Sequence, residues 1–486
     1  MLAVTALAAM LVIVAALPIL SGLFQFLLAG GSVFSTHLEK AGRTLPRVSI
    51  LIPAWNECAV IGTTIDRLMG LQYPMDRLRV YVVDDASSDG TPEVVISKMK
   101  EYPGNVFHIR RVAGGEGKAH TLNYGLEVLW KSDWTEAVLV MDADVVYTAD
   151  SLVKMARHLG DPEVGAVTAY IKEGSSAPNY LQRFIAFEYI TATGASRRAQ
   201  NLLEFLACLS GGAQLHSREN LMAIGGRIFS NTLAEDTFTT FRTQLGGRRA
   251  IFEPNAVVYA EEPDTLDGLW KQRIRWGRGN VQITSVFRDL WFNRNAHESM
   301  GSLAMALLWF SIFLMPLFQI GASVGLLSLF FLNEAAAWTL YHVFWILAGV
   351  VYLVVTLVSY VVDVESARKS WFEGIMFPGV ISLLIIANSL FPPAFGPILD
   401  WIDLEPGSWV ATSLTLFLYA WISASMVVAY GARWAERLGF DRIAKSLLYV
   451  GGYGAFLCAV TFGAYVKELR GAEMKWDKTE KTGKVS

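Results

Sequence analysis

The sequence predicts an α/β domain with a mostly parallel sheet, inserted between an N-terminal transmembrane helix and about five C-terminal ones. The first support is the distribution of charge. Of the 486 residues, 85 are Asp, Glu, Lys or Arg, or 17%, against about 25% in an ordinary soluble domain. None precedes Glu39 and only 25 lie between Gly301 and Ser486, which leaves 60 in the 262 residues between. The centre is therefore 23% charged, like a globular domain, and its flanks are not. The second support is a set of long apolar stretches at residues 7–34, 303–332, 338–362, 374–392, 409–430 and 446–466, all free of Asp, Glu, Lys and Arg. Crossing a hydrocarbon core about 30 Å thick takes about 20 helical residues. The third is the texture of the centre, where the runs VSILIPA, RVYVVDD, VFHIRRV, AVLVMDAD and VGAVTAY alternate with helix-compatible segments. Such alternation builds a parallel sheet covered by helices.

The expected organisation is an anchor at residues 1–36, a cytoplasmic domain at 40–285, a transmembrane region at 286–466 and a polar tail at 467–486. The first stretch lacks the basic start of a signal peptide and is too long for one. Orientation follows the positive-inside rule. Arg368, Lys369, Arg433, Arg437, Arg442 and Lys445 mark cytoplasmic loops, whereas Asn333–Ala337 and Pro392–Ser408 carry only acidic charges. Lys40, Arg43 and Arg47 agree, placing the central domain in the cytoplasm and the chain in the cell membrane. A six-span count leaves the Lys-rich tail outside against the rule, and the proline-rich Asn388–Pro397 is the candidate re-entrant segment. A net charge of −3 gives no reason to expect nucleic acid as a partner. Three scattered cysteines without metal-ligand spacing suggest neither a disulfide framework nor a zinc site.

In parallel sheets ligands collect beyond the carboxyl ends of the strands. Polar motifs sit there: Pro53 with Asn56 and Glu57, then Asp84 and Asp85, then Asp142 and Asp144. Residues i and i+2 of a strand point the same way, so Asp142 and Asp144 could address one hard cation completed by phosphate. Taken alone they read equally as a solvated strand end. Gly114-Gly115-Glu116-Gly117-Lys118 fails the Walker A pattern, because Ala119 follows the lysine. A loop bringing Lys118 to a diphosphate remains open, as does a plain surface turn. Glu235 and Asp236 could hold a general base, or could simply favour a helix N-terminus. In KQRIRWGR the interleaved Gln272 and Trp276 suit a pyrophosphate and a sugar ring, or the four cations are merely the basic flank of a span.

In this order the motifs resemble those of family-2 glycosyltransferases, specifically processive membrane synthases of β-linked polysaccharides such as cellulose, hyaluronan and poly-N-acetylglucosamine. The resemblance covers about residues 45–285 and rests on Pro53-x-x-Asn56-Glu57, Asp84-Asp85 with Ser88-Asp89-Gly90-Thr91, Gly117-Lys118-Ala119 with Asn123, Asp142-x-Asp144, Glu235-Asp236 and Gln272-x-x-Arg275-Trp276. It implies a GT-A nucleotide-sugar fold, Asp85 and Asp84 at the uridine, Asp142 at the donor and Asp144 on Mg²⁺ or Mn²⁺. It further implies Asp236, with Glu235, as the catalytic carboxylate, and Gln272, Arg275 and Trp276 on the diphosphate and the terminal sugar. Pro53, Asn56, Glu57 and Lys118 fall in the donor-binding set. One departure is Ala234, where the family often has Thr before Glu-Asp.

The implied reaction is inverting transfer from a UDP-sugar, UDP-N-acetylglucosamine or UDP-glucose, to a growing polysaccharide that then crosses the bilayer. Aromatic residues such as Trp345 and Trp421 are candidates to line its path, and accessory subunits would be compatible. The alternative within the family is a non-processive enzyme that adds one sugar to a lipid. A transporter with a sensing domain is disfavoured, because the spans offer no Asp, Glu, Lys or Arg for gating or coupling ions. The amphipathic stretch from Asn179 to Phe205 could lie in the membrane interface or pack within the domain.

Overall fold

The structure, a computed structural model, describes residues 1–32, 41–42, 45–393 and 407–473. They form two compact units. One contains Leu28–Asp264 and Gly279–Met305, the other Met1–Leu27, Thr265–Arg278 and Ala306–Ala472.

The first unit holds one sheet of eight strands: β1 (Val48–Ala54), β2 (Leu78–Asp84), β3 (Val106–Arg110), β4 (Ala137–Val140), β5 (Val146–Tyr147), β6 (Val164–Glu173), β7 (Gln214–Ser217) and β8 (Arg249–Ala260). Their spatial order is β3-β2-β1-β4-β7-β6-β8-β5. β3, β2, β1 and β4 run parallel, β7 is antiparallel to both β4 and β6, β8 is parallel to β6, and β5 pairs antiparallel at the edge. The five strand-like runs of the sequence are β1 to β4 and β6.

Period-two alternation distributes side chains to two faces. Ile50, Ile52, Val80, Val82 and Leu139 pack with Ile61, Ile65 and Leu68 of the helix Ile61–Met69 on one side. On the other, Leu51, Val83, Val138 and Val140 pack with Leu122, Leu126 and Leu129 of the helix Lys118–Leu129. Each such buried side chain contributes about 1.5–3 kcal/mol. Gly125 permits the second contact, since a Cβ there would lie 2.6 Å from Leu51 and 2.7 Å from Val83. With both faces covered, the sheet fixes its strand ends, and the loops beyond them can be positioned accurately.

The stretch Asn179–Phe205 belongs to this packing. Asn179 caps the helix Tyr180–Tyr189 by accepting from the backbone of Leu181 and Gln182. Leu181, Phe184, Ile185 and Phe187 are all buried, so the helix has no apolar face left for a bilayer.

The second unit is helical. Among the described residues four helical stretches are long and apolar enough to cross a membrane: Leu2–Gly31, Met315–Leu332, Glu334–Val362 and Trp409–Arg437; a bent pair, Asp441–Gly451 and Tyr453–Leu469, would make five. Three of the apolar stretches therefore differ from continuous spans. Residues 303–332 divide into helices Leu303–Phe313 and Met315–Leu332, with Pro316 at the second start. Residues 374–392 are broken between the end of the helix Trp371–Ile375 and the short helix Val380–Leu390, where Gly379 takes a φ of 86° after Pro378. At 446–466 the chain bends by 97° about Gly452, whose φ is 95°. Hydropathy registers apolar side chains but not the backbone breaks that glycine and proline introduce. Close approach holds the helices together: a Cβ on Gly325 would lie 2.5 Å from the Ala8 carbonyl oxygen, and one on Gly349 2.7 Å from Ile386. Tyr341, Trp345 and Trp421 are buried in this helix cluster, and Trp421 donates to Ser382 Oγ at 3.0 Å. Lys40, Arg43, residues 394–397 of the suspected re-entrant segment, the acidic residues of its loop and the last four tail lysines lie outside the described residues.

Candidate active site

The loops after β1 and β2 are fastened to each other. Asn56, at a φ of 54°, accepts from the Ser88 N–H at 2.9 Å and donates its own N–H to Ser87 Oγ at 2.9 Å. The Glu57 N–H reaches Thr91 Oγ1 at 2.8 Å, and the Cys58 N–H reaches Asp89 Oδ2 at 3.1 Å. Burial would raise the Asp89 pKa, but hydrogen bonds from Thr91 and Cys58 outweigh it and hold the carboxyl below its ordinary range. The polar residues of both motifs thus build one rigid rim.

Asp84, fully buried, accepts from the Ser87 N–H at 2.8 Å and lies 3.5 Å from both His108 and Arg110. Asp85 pairs with Arg111, which also pairs with Glu116, and accepts from the Gly115 N–H at 2.9 Å. The glycine loop folds over this carboxylate. Gly114 must be glycine, because a Cβ would meet the Asp85 carbonyl oxygen at 2.1 Å.

The same loop ends at Gly117, with a φ of 101°, and delivers Lys118 to the first turn of its helix. Lys118 Nζ lies 2.6 Å from Asp142 Oδ1 and 3.8 Å from Glu235 Oε1, and donates to the Gly211 carbonyl at 3.1 Å. Burial would lower its pKa, but the carboxylates of Asp142, Glu235 and Asp236 overcome that and raise it. Past β4 the alternation continues: Met141, Ala143 and Val145 are buried, while Asp142 and Asp144 are both half-buried. The two acids share a side, as their spacing requires.

Glu235 and Asp236 open the helix Glu235–Leu245, where the macrodipole favours them. Glu235 is buried, and Asp236 accepts from the Thr237 N–H at 2.6 Å. The structure thus brings Lys118, Asp142, Glu235 and Asp236 to one place beyond the sheet. Gln272, Arg275 and Trp276 belong to the helical unit, on the helix Leu266–Val286, where Arg273 stacks 4.0 Å from the Trp276 ring.

Several site residues were not legible beforehand. Ser210-Gly211-Gly212 passes directly over the centre: a Cβ on Gly211 would stand 3.3 Å from both Asp236 Oδ2 and Lys118 Nζ, and one on Gly212 3.7 Å from Asp142 Oδ2. Arg197 donates to Ser210 Oγ at 2.6 Å. Burial lowers its pKa, partly offset by Cys208 and Asp236. Burial, and then Asp236, pushes the Cys208 thiol up. The paired glycines were the available signal. Arg197 follows a π-helical turn, Ile190–Ala195, that no periodicity announces.

Asp142 and Asp144 suit a hard divalent cation. Such an ion takes one or two carboxylates and completes its shell with water and phosphate. Among the described residues no group of three or more His, Cys, Asp or Glu could hold a metal ion.

Residues 46–279 match the profile of the family described as Glycosyltransferase like family 2. This region is a family-2 glycosyltransferase domain. Over 359 residues, 72% of this chain and 84% of the relative, the chain is 28% identical to a probable glycosyltransferase, YdaM, of Bacillus subtilis. It is 30% identical over 250 residues to the poly-beta-1,6-N-acetyl-D-glucosamine synthase of Staphylococcus aureus, a match spanning half of this chain and 57% of the synthase. Among solved structures, the mannosyltransferase PcManGT from Pyrobaculum calidifontis, in complex with GDP-Man and Mn²⁺, superposes with a TM-score of 0.53 at 24% identity, covering 76% of this chain and 99% of that one. The glycosyltransferase domain thus has the GT-A-type fold, and the carboxylates just described lie within its matched residues.

Proposed function

We propose that the protein is a processive inverting glycosyltransferase that polymerises a UDP-activated sugar, UDP-N-acetylglucosamine or UDP-glucose, into a β-linked polysaccharide and passes it across the cell membrane. The observation that carries this reading is the convergence of Lys118, Asp142, Glu235 and Asp236 beyond the sheet, in a domain flanked by apolar helices. The relation to a polysaccharide synthase supports a polymer product.

In this reading the acceptor hydroxyl oxygen attacks the anomeric carbon and gives its proton to the Asp236 carboxylate. The bond from that carbon to the donor phosphate breaks, and its electron pair leaves on UDP. One displacement without an enzyme nucleophile inverts an α-linked donor to a β-linked product. Lys118 faces the developing phosphate charge, Asp85 and the rim of Asn56 and Glu57 orient the nucleoside, and Glu235 holds Lys118 in place. Asp144 and Asp142 would hold Mg²⁺ or Mn²⁺, which when bound offsets negative charge on the leaving diphosphate. Gln272, Arg275 and Trp276 would grip the diphosphate and the terminal sugar. In this reading the domain faces the cytoplasm, a side that the basic loops support, and the helical unit carries the polymer outward.

The test is a panel of UDP-sugars, with GDP-mannose for comparison, given to membrane vesicles with Mg²⁺ or Mn²⁺. UDP release together with high-molecular-weight product supports the proposal. A product of one sugar on a lipid would replace it with single-sugar transfer, and absence of nucleotide release from every donor would end it.

A further inference from the structure

The catalytic carboxylate of this reading is held from behind. The segment leading into Asp236 is Thr232-Leu233-Ala234, and three hydrogen bonds fix it. Gln282 Oε1 accepts from the Leu233 N–H at 2.9 Å and from the Thr232 hydroxyl at 3.1 Å, while Thr232 Oγ1 accepts from the Ala234 N–H at 3.2 Å. Independently of these bonds, one turn earlier on the Gln282 helix, a Cβ on Gly279 would lie 2.6 Å from Ala234 Cβ and 3.1 Å from its backbone nitrogen. Backbone meets backbone there, and only glycine allows it. Ala234, the departure from the family pattern, is the residue in that contact.

We propose that Gln282 and Gly279 are positioning residues that set the placement of Asp236 against the acceptor. The inference rests on Asp236 being the base. Gln282 supplies one oxygen to two donors at the approach to Asp236, and Gly279 fixes how closely that approach is pressed to the helix. The helix Leu266–Val286 is the one that carries Gln272, Arg275 and Trp276. The spacings 272, 275, 276, 279 and 282 follow the three-and-four rule of a single helical stripe.

The experiment compares full-length Gln282→Leu, Gln282→Glu and Gly279→Ala in membrane vesicles, with UDP-N-acetylglucosamine and UDP-glucose as donors. Gln282→Leu removes the acceptor oxygen, Gln282→Glu keeps it, and Gly279→Ala displaces Ala234. Misplacing a reacting group by about 1 Å costs on the order of 100-fold. Gln282→Leu and Gly279→Ala should therefore lose about 10- to 100-fold in kcat with the donor KM within about twofold, and Gln282→Glu should recover most of that rate. Wild-type kcat in Gly279→Ala, a Gln282→Glu rate as low as that of Gln282→Leu, or a rise in KM at constant kcat overturns the inference. If Gln282→Leu does not elute from detergent as folded protein, the kcat and KM of Gly279→Ala decide. Asp236→Asn separates the two levels: full activity in that variant removes the assignment of the base itself, whereas an inactive Asp236→Asn beside fully active Gln282→Leu and Gly279→Ala removes only the positioning role.

Discussion

Lys118→Met is the most exposing perturbation of the glycosyltransferase centre. It takes a buried cation from beside Asp142 at 2.6 Å and Glu235 at 3.8 Å, and from within the field of Asp236. Methionine keeps the length of the chain and removes the charge. At 3.8 Å the attraction to Glu235 is about 4 kcal/mol at an effective dielectric near 20, before desolvation is deducted. Removing one member of a buried pair costs about 3–5 kcal/mol. Asp142 is partly open to water and its share is screened, so about 2–3 kcal/mol of lost stability is expected. For a domain of this size that is a fall of about 5–10 °C in the midpoint of thermal unfolding, measured in detergent. The Lys118 pKa is raised above 10.5 by folding, so its contribution is complete below pH 10.5 and fades only as pH climbs through the raised value. The gap between wild type and variant should thus be constant from pH 7 to 9 and narrow only above about 10.5. UDP release should drop by about 100-fold or more, as when a charge-stabilising donor is removed from an active site. A variant that unfolds at the wild-type temperature and releases UDP at the wild-type rate would refute the reasoning.

Further consequences can be checked on the same preparation. Asn56→Ala loses the bond to Ser88 and strains a residue at φ 54°; it should cost about 1–3 kcal/mol and raise the donor KM, and an unchanged KM would separate this rim from donor binding. Gly125→Ala gains about 1 kcal/mol of helix propensity but overpacks against Leu51 and Val83 by about 1–3 kcal/mol, so thermal unfolding should shift downward or barely move. His158 and Glu253 form a buried pair at 2.6 Å. His158→Leu should destabilise by about 3 kcal/mol, and adding Glu253→Leu should restore much of the loss, because replacing both members of such a pair is often near neutral.

Much of the sheet and of the carboxylate set could be read directly because each depended on a local pattern. β1 to β4 and β6 fall in β-rich apolar runs that announce them, and acids follow β1, β2 and β4. β5 has two residues, β7 has four beside a glycine loop, and β8 contains Glu253, Pro254 and Asn255, so pattern alone could not find them. Their pairing comes from long-range register. The amphipathic stretch near Phe184 carries the same apolar residues whether it meets lipid or β6, and only the fold decides between these. The helical unit reversed the balance: apolar length was obvious, yet Pro316, Gly379 and Gly452 interrupt three of the six stretches. Gly211, Arg197 and Gln282 were hidden because what matters about each is its neighbour across the fold, not its neighbour in the chain.

The central claim is that Asp236 is the base of a polymerising transferase. The most direct measurement follows UDP release and product size from wild type and Asp236→Asn, in vesicles supplied with UDP-N-acetylglucosamine or UDP-glucose and Mg²⁺ or Mn²⁺. Wild type should release UDP in step with a high-molecular-weight polymer, and Asp236→Asn should fold normally and release almost none. Polymer formed by Asp236→Asn at the wild-type rate would contradict the account.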